Sequence, residues 1–147
     1  MSQPAAAPDD VAARLSRLFQ TTRPPGIVSV YLFGSHAEHR AHRESDVDVG
    51  VLLDRAVFPS EADRFDERVR LSAQLGAELG ARVVDIVVLN YVPPGLASRV
   101  VTRCIRVHCS SPEDDHAFRR DAQLRAADLA PFLKRMRRLK LAALQRS

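Results

Sequence analysis

The chain has 147 residues, 46% of them hydrophobic and 27% charged, with a formal net charge of +4. That length suits one compact domain and leaves little room for a second. It holds no apolar run near the roughly 20 residues that a membrane span needs, and the basic balance favours acidic partners such as nucleotides or an acidic protein face.

The N-terminal stretch, residues 1–8, is Ala/Pro-rich. It lacks the basic and apolar regions of a secretory signal and reads as a flexible tail. Asp9 and Asp10 can cap a helix whose apolar stripe is Val11, Leu15, Leu18 and Phe19. Arg23-Pro24-Pro25-Gly26 ends it. Ile27 to Phe33 is rich in β-branched and aromatic residues and predicts a strand, broken by Gly34-Ser35. The polar segment from His36 to about Arg43 predicts a short helix or turn, and Val47 to Leu53 a second strand.

Phe58-Pro59-Ser60 reads as a turn, with Ser60 and Asp63 spaced as a capping box. The helix that follows is expected to carry Phe65, Val69, Ser72, Leu75 and Leu79 on one face, with Glu61, Asp63, Asp66 and Glu67 solvated and Gly80 at its C-terminal cap. Val83 to Leu89 predicts a third strand. Pro93-Pro94 opens a helix expected to run through Ile105, with a short strand at Arg106 to Cys109. From about Glu113 the chain reads as helix, kinked or split at Pro131. In that segment Phe132, Leu133, Met136 and Leu139 are expected to pack while Lys134, Arg135, Arg137, Arg138 and Lys140 stay in water. Without interleaved aromatics the basic run gives no reason to expect nucleic acid as a partner. Tyr31 and Tyr91 are read as packing residues. Cys104 and Cys109 form neither a disulfide framework nor a zinc pattern, which suits reduced thiols in a cytoplasmic protein. The expected organisation is a tail over 1–8, an α/β (α+β) domain over 9–110 and a helical segment over 111–147 packed on the same domain.

Asp46 and Asp48 lie two apart at the start of a strand. Such side chains point to one face, with Cα atoms roughly 6.5 Å apart. Two carboxylates converging there repel unless a cation fills the space. Oxygen ligands without His or Cys suit Mg²⁺ or Mn²⁺. Asp85 interrupts the apolar third strand, where a lone buried carboxylate would be costly. If that strand pairs beside the second, three carboxylates can hold two ions about 4 Å apart, the arrangement used for in-line phosphoryl transfer. Gly34-Ser35, between a strand and a helix start, offers close backbone approach, free N–H groups and a hydroxyl donor to phosphate.

Gly34-Ser35-His36-Ala37 followed by Ser45-Asp46-Val47-Asp48-Val49 resembles the signature of the DNA polymerase β nucleotidyltransferase superfamily. Chain size and the Asp85 strand resemble its minimal nucleotidyltransferase branch. The match is strong over Tyr31 to Leu53, weaker over Val84 to Leu96, and only helical beyond. The resemblance implies a mixed sheet of three to five strands flanked by helices, two Mg²⁺ ions on Asp46, Asp48 and Asp85, and an NTP held at Gly34 and Ser35. It also implies an antitoxin paired with a HEPN-domain toxin, transferring AMP from ATP to a toxin tyrosine, in a homo- or hetero-oligomer. Transfer to a small-molecule hydroxyl and masking of the toxin without catalysis stay open. The sequence departs from the pattern at Glu38-His39, where the family often has Arg-Gly, so cations for the triphosphate are sought at His36, Arg40, His42 and Arg43.

Overall fold

The structure is a computed structural model that describes residues 8–34, 37, 46–80 and 83–145. Ser35, His36 and residues 38–45, with the Glu38-His39 departure and the candidate cations of that segment, lie outside the described residues. So does the tail before Pro8.

The elements follow the order α1 (Pro8–Thr22), β1 (Ile27–Phe33), β2 (Val47–Leu53), α2 (Glu61–Glu78), β3 (Val84–Val88), α3 (Pro94–Thr102), β4 (Ile105–Cys109) and α4 (Pro112–Gln145). The strands form one mixed sheet in the order β3-β2-β1-β4. β1 runs antiparallel to β2 and β4, whereas β2 and β3 are parallel, joined by a crossover through α2. β1 is central and buried on both sides, so its sequence is nearly all apolar.

Two apolar layers close the sheet. On one side, Val11, Leu15 and Phe19 of α1, Leu71 and Leu75 of α2 and Leu79 at its C-cap pack on Val47, Val49, Val51, Val84 and Ile86. On the other, Tyr31, Leu52, Leu89 and Val100 gather with Phe33 and Phe118 beneath α3 and α4. β2 therefore alternates valines facing α1 and α2 with Asp48, Gly50 and Leu52 facing the other way. The Ser60–Asp63 capping box opens α2, and Gly80 follows its last turn with φ +79°.

Several expectations are corrected. The inner face of α2 is Arg64, Glu67, Leu71 and Leu75, while Phe65 and Val69 are exposed. Arg64 is held inward by donating to the Phe58 carbonyl (2.7 Å) and lying over the half-exposed Tyr91 ring (4.4 Å to its centroid). Glu67 is buried rather than solvated, and Arg70 pairs with it. α3 stops at Thr102, because Ile105–Cys109 is recruited to the free edge of β1. α4 is one continuous helix through Pro131, and Phe132, Leu133, Met136 and Leu139 are exposed rather than packed.

Candidate active site

The C-terminal end of β1 and the N-terminal ends of β2 and β3 meet at one edge of the sheet. Antiparallel pairing sets Phe33 opposite Asp48, and parallel pairing sets Asp48 beside Asp85. Register partners share a face, so Asp48 and Asp85 point to the same side, the one covered farther along by α3 and α4. The pairing is held at its first residue by Val47 N–H donating to the Val83 carbonyl (3.0 Å). Ser72 of α2 donates to the Val84 carbonyl (2.8 Å) and pins the start of β3. Asp48 is half-buried, whereas Asp85 is exposed at its strand end, which lowers the burial cost feared from the sequence. Asp46 is exposed, one residue ahead of β2.

Gly34 follows β1 with φ +74°, a left-handed conformation open to glycine at low cost. It lies so close to Asp48 that a Cβ there would overlap the Asp48 Oδ2 atom. Gly34 thus brings bare backbone against a carboxylate, a cradle that a side chain would fill.

Asp48 and Asp85 are brought together by register, and Asp46 lies exposed two residues ahead of Asp48. No group of three His, Cys, Asp or Glu among the described residues gathers closely enough to hold an ion. The donors nonetheless fit Mg²⁺, which uses one or two carboxylates and completes its shell with water and substrate phosphates.

Charge of the opposite sign stands on the same side of the sheet. Arg106, His116, Arg119 and Arg120 line a cleft of about 650 Å³. At its base lies a network that sequence reasoning missed. The buried Tyr31 hydroxyl donates to Asp115 Oδ1, and Arg106 donates to Asp115 Oδ2 (2.8 Å). Asp115 is 1% exposed. Burial alone would raise its pKa, but hydrogen bonds from Tyr31 and Arg106 hold it below the usual value. Burial, and then the Asp115 carboxylate, push the Tyr31 hydroxyl far above its ordinary range. The sequence signal was a tyrosine, with Ser29 two residues before it, inside an apolar strand. A cavity of about 390 Å³ at the far end of β2 and β3 is lined by Leu52, Asn90, Phe118 and Arg125, and none of the three aspartates reaches it.

A family model described as polymerase beta, nucleotidyltransferase matches residues 14–113. Protein adenylyltransferase MntA of Shewanella oneidensis strain MR-1 is 32% identical over 96 residues, 64% of this chain. The chain spans 62% of that relative's length. Among solved structures, a toxin-antitoxin with AMP-PNP superposes with a TM-score of 0.58 at 24% identity, over 85% of this chain and 97% of the other. A tri-AMPylated Shewanella oneidensis HEPN toxin in complex with an MNT antitoxin gives 0.57 at 22% identity, over 86% and 98%. A structure determined as a minimal nucleotidyltransferase gives 0.55 at 28% identity, over 70% and 98%. At these identities the first two likenesses concern the fold.

Proposed function

This chain belongs to the polymerase beta nucleotidyltransferase family, and on that footing we propose that it is a Mg²⁺-dependent protein adenylyltransferase, an antitoxin that moves AMP from ATP onto a tyrosine hydroxyl of a HEPN toxin. The observation that carries the reading is the pairing of Asp48 with Asp85 on adjacent parallel strands, with Gly34 pressed against Asp48. The name of the Shewanella relative supports a protein acceptor.

Asp46, Asp48 and Asp85 are the residues that would hold Mg²⁺. When bound, the metal supplies positive charge to oxygens that become more negative during phosphoryl transfer. The Gly34 backbone and the Ser35 hydroxyl receive the β- and γ-phosphates. Asp48, placed against that turn, would hold Mg²⁺ where the triphosphate reaches the strand edge. Asp85, exposed on the outer strand, faces the acceptor and takes the tyrosine proton. The phenol oxygen bonds to the α-phosphorus, the bond from that phosphorus to the β-bridging oxygen breaks, and pyrophosphate leaves. The cationic cleft of Arg106, Arg119 and Arg120 draws the anionic nucleotide toward this edge. Cys104 and Cys109 are both free thiols, which suits work in the reducing cytoplasm, and no helix among the described residues is long and apolar enough to cross a membrane.

The test is incubation with ATP, Mg²⁺ and the protein encoded by the adjoining gene, followed by intact mass of both chains. The expected result is added AMP on the partner, absent with Asp48→Ala or Asp85→Ala. A stable complex that never gains mass means masking by binding, and full activity of Asp48→Ala removes the proposed site.

A further inference from the structure

Among the described residues, the second half of α4 stands exposed. Residues 127–145 are all exposed, and at about 1.5 Å per residue they extend roughly 28 Å. An isolated helix of this length gains little from propensity and needs an apolar face covered. The face is there. Asp115, Phe118, Ala122 and Ala126 turn α4 toward the domain. Steps of three and four residues carry the same line on to Leu129, Leu133 and Met136, with Phe132 and Leu139 beside it. These five side chains are 38–59% exposed, a contiguous apolar stripe of the kind that marks an interaction surface.

Charge and shape choose the occupant. Arg135 and Arg137 flank the stripe, Lys140 continues its line, Lys134 and Arg138 stand on the opposite face, and no acidic residue follows Asp128. A second copy would set cations against cations in either orientation, which opposes self-pairing. A flat lipid surface is opposed by the body of the domain. The stripe continues the inner face of α4, so the domain stands on the side the stripe faces and meets a planar surface first. A helix about 10 Å across fits in the angle between them.

We propose that Leu129, Phe132, Leu133, Met136 and Leu139 form a docking seam for an amphipathic helix of the acceptor protein, one whose own apolar stripe is flanked by Asp and Glu. The seam deepens the reading above and rests on it in one respect, that the acceptor is a protein. It holds the acceptor by α4 and leaves the Asp48–Asp85 edge free to receive its tyrosine.

The test measures complex formation between the full chain and the adjoining gene's product in nucleotide-free buffer with EDTA, so that catalysis plays no part. Leu133→Gln/Met136→Gln is expected to weaken binding by about 30-fold or more. Arg135→Glu/Arg137→Glu is expected to slow association and flatten its salt dependence. Both pairs sit at exposed positions and should keep the parent's Tm; loss of fold would mean that the stripe packs within the chain, and overturns the proposal. It is equally overturned by unchanged affinity, by a parent that does not bind, by a free chain that is a dimer dissolved by the Gln pair, or by uptake onto phosphatidylcholine–phosphatidylserine vesicles. An intact complex without AMP transfer counts against the proposed function alone, and transfer through a complex indifferent to the seam counts against the seam alone.

Discussion

Replacing Gly34 and Gly80 separately with alanine divides backbone strain from displacement of Asp48. Both glycines have positive φ, +74° and +79°. A Cβ in that region costs about 1–2 kcal/mol. Around Gly80 a Cβ meets no atom of the described residues within 4 Å, so strain is the expected effect. For a domain of this size that lowers Tm by about 3–6 °C, with transfer activity unchanged. A Cβ on Gly34 carries the same strain and also overlaps Asp48 Oδ2. The carboxylate must swing away from the turn. A displacement of about 1 Å at a reacting centre costs on the order of 100-fold in rate. Gly34→Ala is therefore expected to lose as much Tm as Gly80→Ala or more, and about 100-fold of AMP transfer besides. The assay is thermal unfolding of both variants, followed by initial rates of transfer at saturating ATP. Equal activity of the two variants would refute the claim that the bare Gly34 backbone sets the Asp48 carboxylate.

Other predictions concern the frame around the site. Asp115→Ala leaves the buried Tyr31 hydroxyl without its acceptor while the half-exposed Arg106 turns to water, and should cost about 1–3 kcal/mol in urea unfolding. Tyr31→Phe removes one donor and should cost about 1–3 kcal/mol. The folded state raises the Tyr31 pKa; its contribution is complete below the unfolded value of about 10 and fades as pH rises above it. The parent should therefore lose stability above about pH 10, and Tyr31→Phe should lack that loss. His108, whose pKa is lowered by burial and then by Arg23, contributes stability that is present above about pH 6.5 and lost as pH falls through its folded value. His108→Phe, which keeps a ring against Phe19, should flatten unfolding free energy measured between pH 7 and 5. Leu75→Ala, fully buried between α2 and the sheet, should cost about 2–5 kcal/mol.

What the sequence made legible was local. β1 and β2 are found at their expected residues because apolar, β-branched runs between Gly26, Gly34 and Asp54 leave few other readings. The α2 cap was legible because Ser60 and Asp63 satisfy each other within four residues. The inner face of α2 was not, because Phe65 and Val69 looked like core, whereas Arg64 lays its guanidinium over Tyr91 and Glu67 is neutralised by Arg70. Those choices depend on partners distant in sequence or on side-chain pairing, which periodicity does not record. Asp46, Asp48 and Asp85 stood out as acids in apolar strands, but the register that joins Asp48 to Asp85 depends on the α2 crossover and had to come from the fold. Asp115 was hidden among acidic neighbours at the start of α4, a common helix-opening composition.

The central claim is that two aspartates on neighbouring parallel strands serve one transfer site. Intact mass of the adjoining gene's product after reaction with ATP and Mg²⁺ reads it directly, with the parent beside Asp48→Ala and Asp85→Ala at matched Tm. The account predicts AMP added by the parent and by neither variant; AMP added by both variants at the parent's rate would contradict it.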